Sequence, residues 1–536
     1  MKTCIKQSVS LSLLAIWLGS NILAACSWSP MAGRQFTPTP PVTPTTQATI
    51  QVDATGTLSA EPVEPVPDGC PIEDQIPAMR SGQPAWDETA VQACYELELS
   101  IGENPAEYAG KARIVIPNRT GSAYDDLVFR LYPNADRIYG GRLELDEARV
   151  AGQPVEPEQL LADGTAVRLA LAEPVPPGKS IEVELAFSGQ TPVDLNNQEW
   201  VYGVFNFDSG DQVLVLANWF PILAAWRDGD WQVEPVYGVG DAVVSETALF
   251  ELEVTAPKDW QVITTGSEIG RTEWDGGVVR TFASGPVRDF IVVASPNFVG
   301  QQMETYGVLV HHWGLPGGEG RWDEALQATV DALGVFEQRF GPYPYAELDV
   351  VAAPLQLASG VEYPGLFLLE SQLYQPDDEQ PFLLGLVAAH EVAHQWWYSV
   401  VGSDVVAHPW QDEALATFSS LVYQEEYQPG VLAGTIRHYQ GRQQAAEDSK
   451  GDTGIGQPVQ AFLDRIEIYS PVIYSKGALF FVDLRQEIGE EAFFKALKSY
   501  YAKYTGRIAS PEELLGEFEN ACQCDLDQVY AFWGVD

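Results

Sequence analysis

Positive charge is scarce in this chain. Its 536 residues include 30 Lys and Arg against 75 Asp and Glu, a net charge of −45. So acidic a surface repels phosphate backbones, which argues against nucleic acid as a partner. Histidine and cysteine are also sparse, six of each. Past the first 25 residues, no run is apolar for long enough to cross a bilayer. No internal repeat is evident. What is present is 46% hydrophobic residues over a length that suits two or three domains.

The N-terminus has the form of an export signal. Lys2 and Lys6 precede an apolar stretch from Val9 to Ala25. Leu23-Ala24-Ala25-Cys26 resembles a bacterial lipobox, which implies a signal peptide over 1–26 and a lipid on Cys26. The expected location is extracytoplasmic, with the lipid holding the chain to the membrane of the cell envelope. Residues 27–85 are rich in Pro and Thr and are expected to form a disordered tether, because they bury too little apolar surface to offset ordering. Export permits disulfides. Cys70, Cys94, Cys522 and Cys524 allow three pairings, of which Cys70–Cys94 with Cys522–Cys524 is the most local. Reduced thiols remain open at Cys522 and Cys524, where the ring is tight.

Between 86 and 300 apolar and polar residues alternate in short runs, as in CYELELSIG, GKARIVIPN, LVFRLYP, AVRLALA, SIEVELAFSG, FELEVTAP and RDFIVVAS. That period predicts an N-terminal all-β domain of saddle or sandwich form. Over 301–536 the pattern becomes mainly helical, with helices expected at 322–340, 380–400, 411–427, 474–488, 490–504 and from Ser510 onward. LDVVAAPL reads as a strand. The fold class is therefore multidomain α+β.

The chemistry concentrates at His390-Glu391-Val392-Ala393-His394, inside the apolar run LLGLVAAHEVAHQWWYSV. On a helix, residues four apart share a face, so both imidazoles can hold one metal ion. Glu391 lies beside that face and is placed to act as a base toward water. Chance supplies such a motif in about one sequence in 200 of this composition, before helical context is required. An open zinc site needs a third protein ligand. Glu413 follows His394 after 18 residues, in the first turn of the helix expected at QDEALATFSSLVYQEEY. Two neutral imidazoles and one carboxylate leave a net positive centre that brings the pKa of water toward about 7.

HEVAHQWW followed by WQDEALATF resembles the zinc aminopeptidases of the aminopeptidase N family, gluzincins with HExxH, 18 residues, then Glu. Trp396, Trp397 and Trp410 add to the likeness. The resemblance covers roughly 90–536 and implies a thermolysin-like, mainly helical zinc peptidase domain behind the β domain. It also implies roles. In LASGVEYPG, Glu362 would bind the substrate's free α-amine and Gly360 would let the substrate backbone approach. Ser359 and Val361 depart from the family pattern there, which puts the side-chain pocket in doubt. Tyr474 in VIYSKG would donate to the oxyanion. Gln212, ahead of NWFP, would help hold the amine. The chain reaches Asp536 where that catalytic domain would end, so the helical domain that most members add is expected to be missing.

The expected activity is release of the N-terminal residue from peptides with a free N-terminus, using one zinc ion. Two rivals share parts of this pattern. A thermolysin-like endopeptidase would have the same metal site without amine capture. A surface-displayed binding protein would carry a vestigial site.

Overall fold

The computed structural model describes residues 78–80, 86, 88–195, 201–375 and 381–535. The export signal, Cys26, Cys70 and most of the 27–85 stretch lie outside the described residues. Among the described residues, no helix is long and apolar enough to cross a membrane.

Alternation builds the N-terminal half. Strand Ala93–Ile101 buries Tyr95, Leu97, Leu99 and Ile101 on one face and exposes Glu98 and Ser100 on the other. It pairs antiparallel with Glu107–Pro117 and parallel with Ala248–Ala256, at the centre of an eight-stranded sheet. Two four-stranded sheets accompany it. The core is aromatic where they meet. Tyr95 stacks on Phe250 at 4.7 Å and meets Phe220 edge-on, and its hydroxyl accepts from the Leu223 amide at 3.0 Å.

The C-terminal half opens with a five-stranded sheet. Its spatial order is Val299–Thr305, Val308–Gly314, Glu347–Ala353, Leu366–Glu370, Gly360–Tyr363. Only the third of these strands, within LDVVAAPL, is expected from the sequence. Helices follow as α1 (Trp322–Arg339), α2 (Leu383–Ala393), α3 (Pro409–Tyr427) and α4 (Pro429–Lys450), then α5 (Gly477–Ile488), α6 (Glu490–Tyr504), α7 (Pro511–Cys522) and α8 (Asp527–Trp533). Pro409 opens α3 at a position where its missing N–H costs nothing. Ser510 and Glu513 form a capping box at α7. The run expected as a helix over 380–400 ends early, at Ala393. Past it the chain reverses sharply, with Ser399 N–H donating to the His394 carbonyl and Tyr398 N–H to that of Val401.

Buried polar groups join the halves. The Arg288 guanidinium donates to the carbonyls of Ser245 at 2.9 Å and Arg507 at 3.2 Å, and reaches those of Ser399 and Val400 at 3.4 Å. Asp289 accepts from Tyr398 and Asn218. RDFIVVAS is accordingly a strand only at Val292–Ser295, because its first residues serve this junction. Ala78–Arg80, within the expected tether, is fixed to the C-terminal half. The Ala346 amide donates to Ala78, the Arg80 amide donates to Pro344, and the Arg80 side chain pairs with Glu337. Cys522 and Cys524 form a disulfide, and Cys94 is disulfide-bonded to a partner outside the described residues.

Candidate active site

Helix α2 sets His390 and His394 one turn apart on a single face, and the first turn of α3 brings Glu413 to meet them. His390 Nε2 lies 3.2 Å from Glu413 Oε2 and 3.2 Å from His394 Nε2. His394 Nε2 to Glu413 Oε2 is 3.6 Å. Tetrahedral ligands at about 2.05 Å from a zinc ion stand about 3.3 Å from one another, so this triangle has the size of a zinc site. Each ring is oriented from behind. His394 Nδ1 sits 2.7 Å from Asp412 Oδ1 and 3.1 Å from the Trp397 carbonyl, while His390 Nδ1 has only the Thr417 hydroxyl, at 3.5 Å. A carboxylate behind a ligating imidazole fixes its tautomer and raises its basicity. The donor set and its supports fit a divalent ion with one position open to substrate.

Glu391 is 3% exposed and its Oε2 makes no hydrogen bond. Burial pushes its carboxyl up to about 8, and His394 opposes that rise. Gly360 lies against it. A Cβ on Gly360 would fall 2.3 Å from Glu391 Oε1, so the first partner of this glycine's bare face is the Glu391 carboxylate, where the family resemblance implies a substrate backbone. Glu362, on the edge strand Gly360–Tyr363, is also buried, and burial holds its carboxyl well above the ordinary range despite His394. For Glu413, burial is outweighed by hydrogen bonds from both imidazoles, which hold it below that range.

Tyr474 lies in a π-helical turn, Pro471–Lys476, just ahead of α5. Such turns recur at functional sites because the extra residue re-aims a side chain. Here the phenol stacks beside His390 at 6.0 Å and its hydroxyl donates to Glu413. Arg442 of α4 grips the turn through Ser470 and Ser475.

Gln212 does not join this group. It is exposed, in left-handed backbone at φ 53°, in the turn between strands Phe205–Asp208 and Val213–Leu216. Neighbouring Asp211 bonds Asp208 and Asn297. The N-terminal domain instead contributes Asp241, which sequence reasoning passed over. Asp241 Oδ2 is buried without a hydrogen bond. Burial, then the charges of Glu362, Glu413 and Asp412, push its carboxyl well above the ordinary range. Geometry places the same loop at the site. A Cβ on the adjacent Gly240 would strike the Tyr469 hydroxyl, and Tyr469 meets Tyr474 edge-on at 6.2 Å. A cavity of about 730 Å³ lined by Arg119, Arg227, Glu246 and Arg507 includes none of these site residues.

The architecture and the three-donor centre define a two-domain protein with a metallopeptidase-type site. Residues 324–533 match the Peptidase family M1 domain. Aminopeptidase 2, mitochondrial, of Saccharomyces cerevisiae is 27% identical over 254 residues, 45% of this chain and 26% of that protein. Endoplasmic reticulum aminopeptidase 2 of Homo sapiens is 27% identical over 236 residues, 43% of this chain and 24% of that protein. The chain thus spans about a quarter of the length of these curated relatives. The M1 zinc metallopeptidase of Deinococcus radiodurans shares the fold at a TM-score of 0.61 and 22% identity, covering 83% of this chain and 94% of that one. A crystal structure of a point mutant of that enzyme, bound to a Tyr-Ser-Ala substrate, gives a TM-score of 0.60 at 21% identity, covering 82% and 94%.

Proposed function

We propose that this chain is a zinc-dependent aminopeptidase that removes the N-terminal residue from peptides. The observation that carries the reading is the convergence of His390, His394 and Glu413 at zinc-site spacing beside a buried Glu391 whose Oε2 makes no hydrogen bond. Zinc held by the three donors would make water more acidic and a peptide carbonyl more electrophilic. Glu391 then takes a proton from the attacking water and passes it to the leaving amine. Burial, then the Glu413 charge, keeps the Tyr474 phenol protonated, so it can donate to the carbonyl oxygen as charge develops there.

Amine capture favours an aminopeptidase over an endopeptidase. Burial raises the carboxyls of both Asp241 and Glu362, and the Glu362 charge pushes Asp241 up further. A substrate ammonium meets that need, and Asp241 takes the part expected of Gln212. The test compares a free peptide with its N-acetylated twin. Hydrolysis of the free peptide alone is expected, and equal rates would turn the assignment to an endopeptidase. The complete set of ligands, base and tyrosine speaks against a vestigial binding protein.

The lipobox-like LAAC segment supports export and lipid anchoring at Cys26. Labelled palmitate incorporation that Cys26→Ala abolishes is the expected result, and unlabelled wild-type protein would end that proposal.

A further inference from the structure

A second group of metal-donor side chains lies outside the catalytic centre. Strands Val308–Gly314 and Glu347–Ala353 run parallel, with Leu309 paired to Glu347 and His311 to Asp349. Residues two apart on a strand share a face, so the register gathers His311, Glu347 and Asp349 on one side of the sheet. One donor atom from each lies within 4.8 Å of the other two. His311 Nδ1 is 3.4 Å from Asp349 Oδ1, which also accepts from Trp313 Nε1 at 2.7 Å. Asp349 is 4% exposed.

The N-terminal domain reaches this face at Ser267, the first residue of strand Ser267–Trp274. Ser267 is 5% exposed, and its hydroxyl lies against the Glu347 carboxylate. Ser267 and Glu347 also border a cavity of about 10 Å³, room for one water-sized occupant. The cluster is short of positive charge. Burial, then Asp349, pushes the Glu347 carboxyl up to about 7. Burial opposes a charge on His311, but Asp349 and Glu347 outweigh it and raise its pKa.

We propose that His311, Glu347 and Asp349 form a second divalent-cation site at the seam between the two domains. One imidazole and two carboxylates suit a transition ion of the zinc or manganese class. Donors within 4.8 Å of one another leave a centre at most about 2.8 Å from each, so side-chain shifts of no more than roughly 0.7 Å complete ligand distances near 2.1 Å. The ion would bind two strands of the five-stranded sheet where the N-terminal domain rests on them, so its role is to hold the seam.

The test is a metal count. The full chain is stripped with chelator, dialysed, titrated with ZnCl2 by calorimetry and counted by native mass spectrometry. The wild type is expected to hold two ions. His311→Gln should hold one and keep its peptidase turnover. His394→Ala should also hold one and lose turnover, and the double variant should hold none. A wild type that holds one ion, or a His311→Gln variant that still holds two, overturns the site and leaves the catalytic assignment standing. If His311→Gln loses its native circular dichroism, Glu347→Gln serves the same comparison. A hydrogen-bonded His–Asp pair with no ion predicts one ion in the wild type and in both seam variants.

Discussion

Asp412 offers the sharpest check on how the metal centre is held. It is buried, and its Oδ1 sits 2.7 Å from His394 Nδ1. Asp412→Asn removes the charge behind the ligating ring and keeps the shape. Loss of such a support typically costs about 10–100-fold in metal affinity, or roughly 1.4–2.7 kcal/mol. The cost should stay within that range because the Trp397 carbonyl, 3.1 Å from the same nitrogen, still fixes the tautomer. The other ring supplies a control. His390 Nδ1 has only the Thr417 hydroxyl at 3.5 Å, so Thr417→Val should weaken zinc binding by less than Asp412→Asn. The assay is competition for zinc against a chromophoric chelator, with thermal unfolding of the metal-free proteins alongside. Unchanged affinity in Asp412→Asn, or a larger loss in Thr417→Val, would refute the reasoning.

Glu391→Gln should keep zinc and lose about 10²–10⁴ in kcat; a variant with wild-type turnover would remove the assigned base. Gly360→Ala should push the Glu391 carboxylate aside with little change in Tm, lowering kcat by about 10²-fold, and steady-state kinetics would show it. Burial depresses the His312 imidazole to about 4, so the folded protein refuses a proton that the unfolded chain accepts near 6.5. The resulting stability is full above about pH 6.5 and is lost as pH falls toward 4, a swing of roughly 3 kcal/mol. Urea unfolding at the two ends of that range should show a smaller drop for His312→Gln than for wild type, and equal drops would contradict the assignment.

The cluster of His390, His394 and Glu413 was legible because its signal is local. Four residues make one helical turn, and the 18-residue gap to Glu413 is a helix end, a loop and a new helix start. The β strands were legible for the same reason, through period-two burial such as that of Ala93–Ile101. Failures came where long-range packing decides. Gln212 has the expected spacing from NWFP, but a hairpin turn carries it to the surface. Asp241 sits in a loop with no periodic signal, and only the fold brings it to Glu362. Helix α4 buries just Thr435, Tyr439 and Ala446, so it has no apolar stripe to announce it. The early end of α2 depends on a chain reversal that apolar patterning does not reveal.

The stitching of Ala78–Arg80 to Pro344, Ala346 and Glu337 has a mechanical consequence. Force entering at Ala78–Arg80 passes to the half that carries HEVAH, while the disulfide at Cys94 ties strand Ala93–Ile101 of the β domain into the same load path. Tension there is shared by both halves, and the one bearing HEVAH takes its part beside α1.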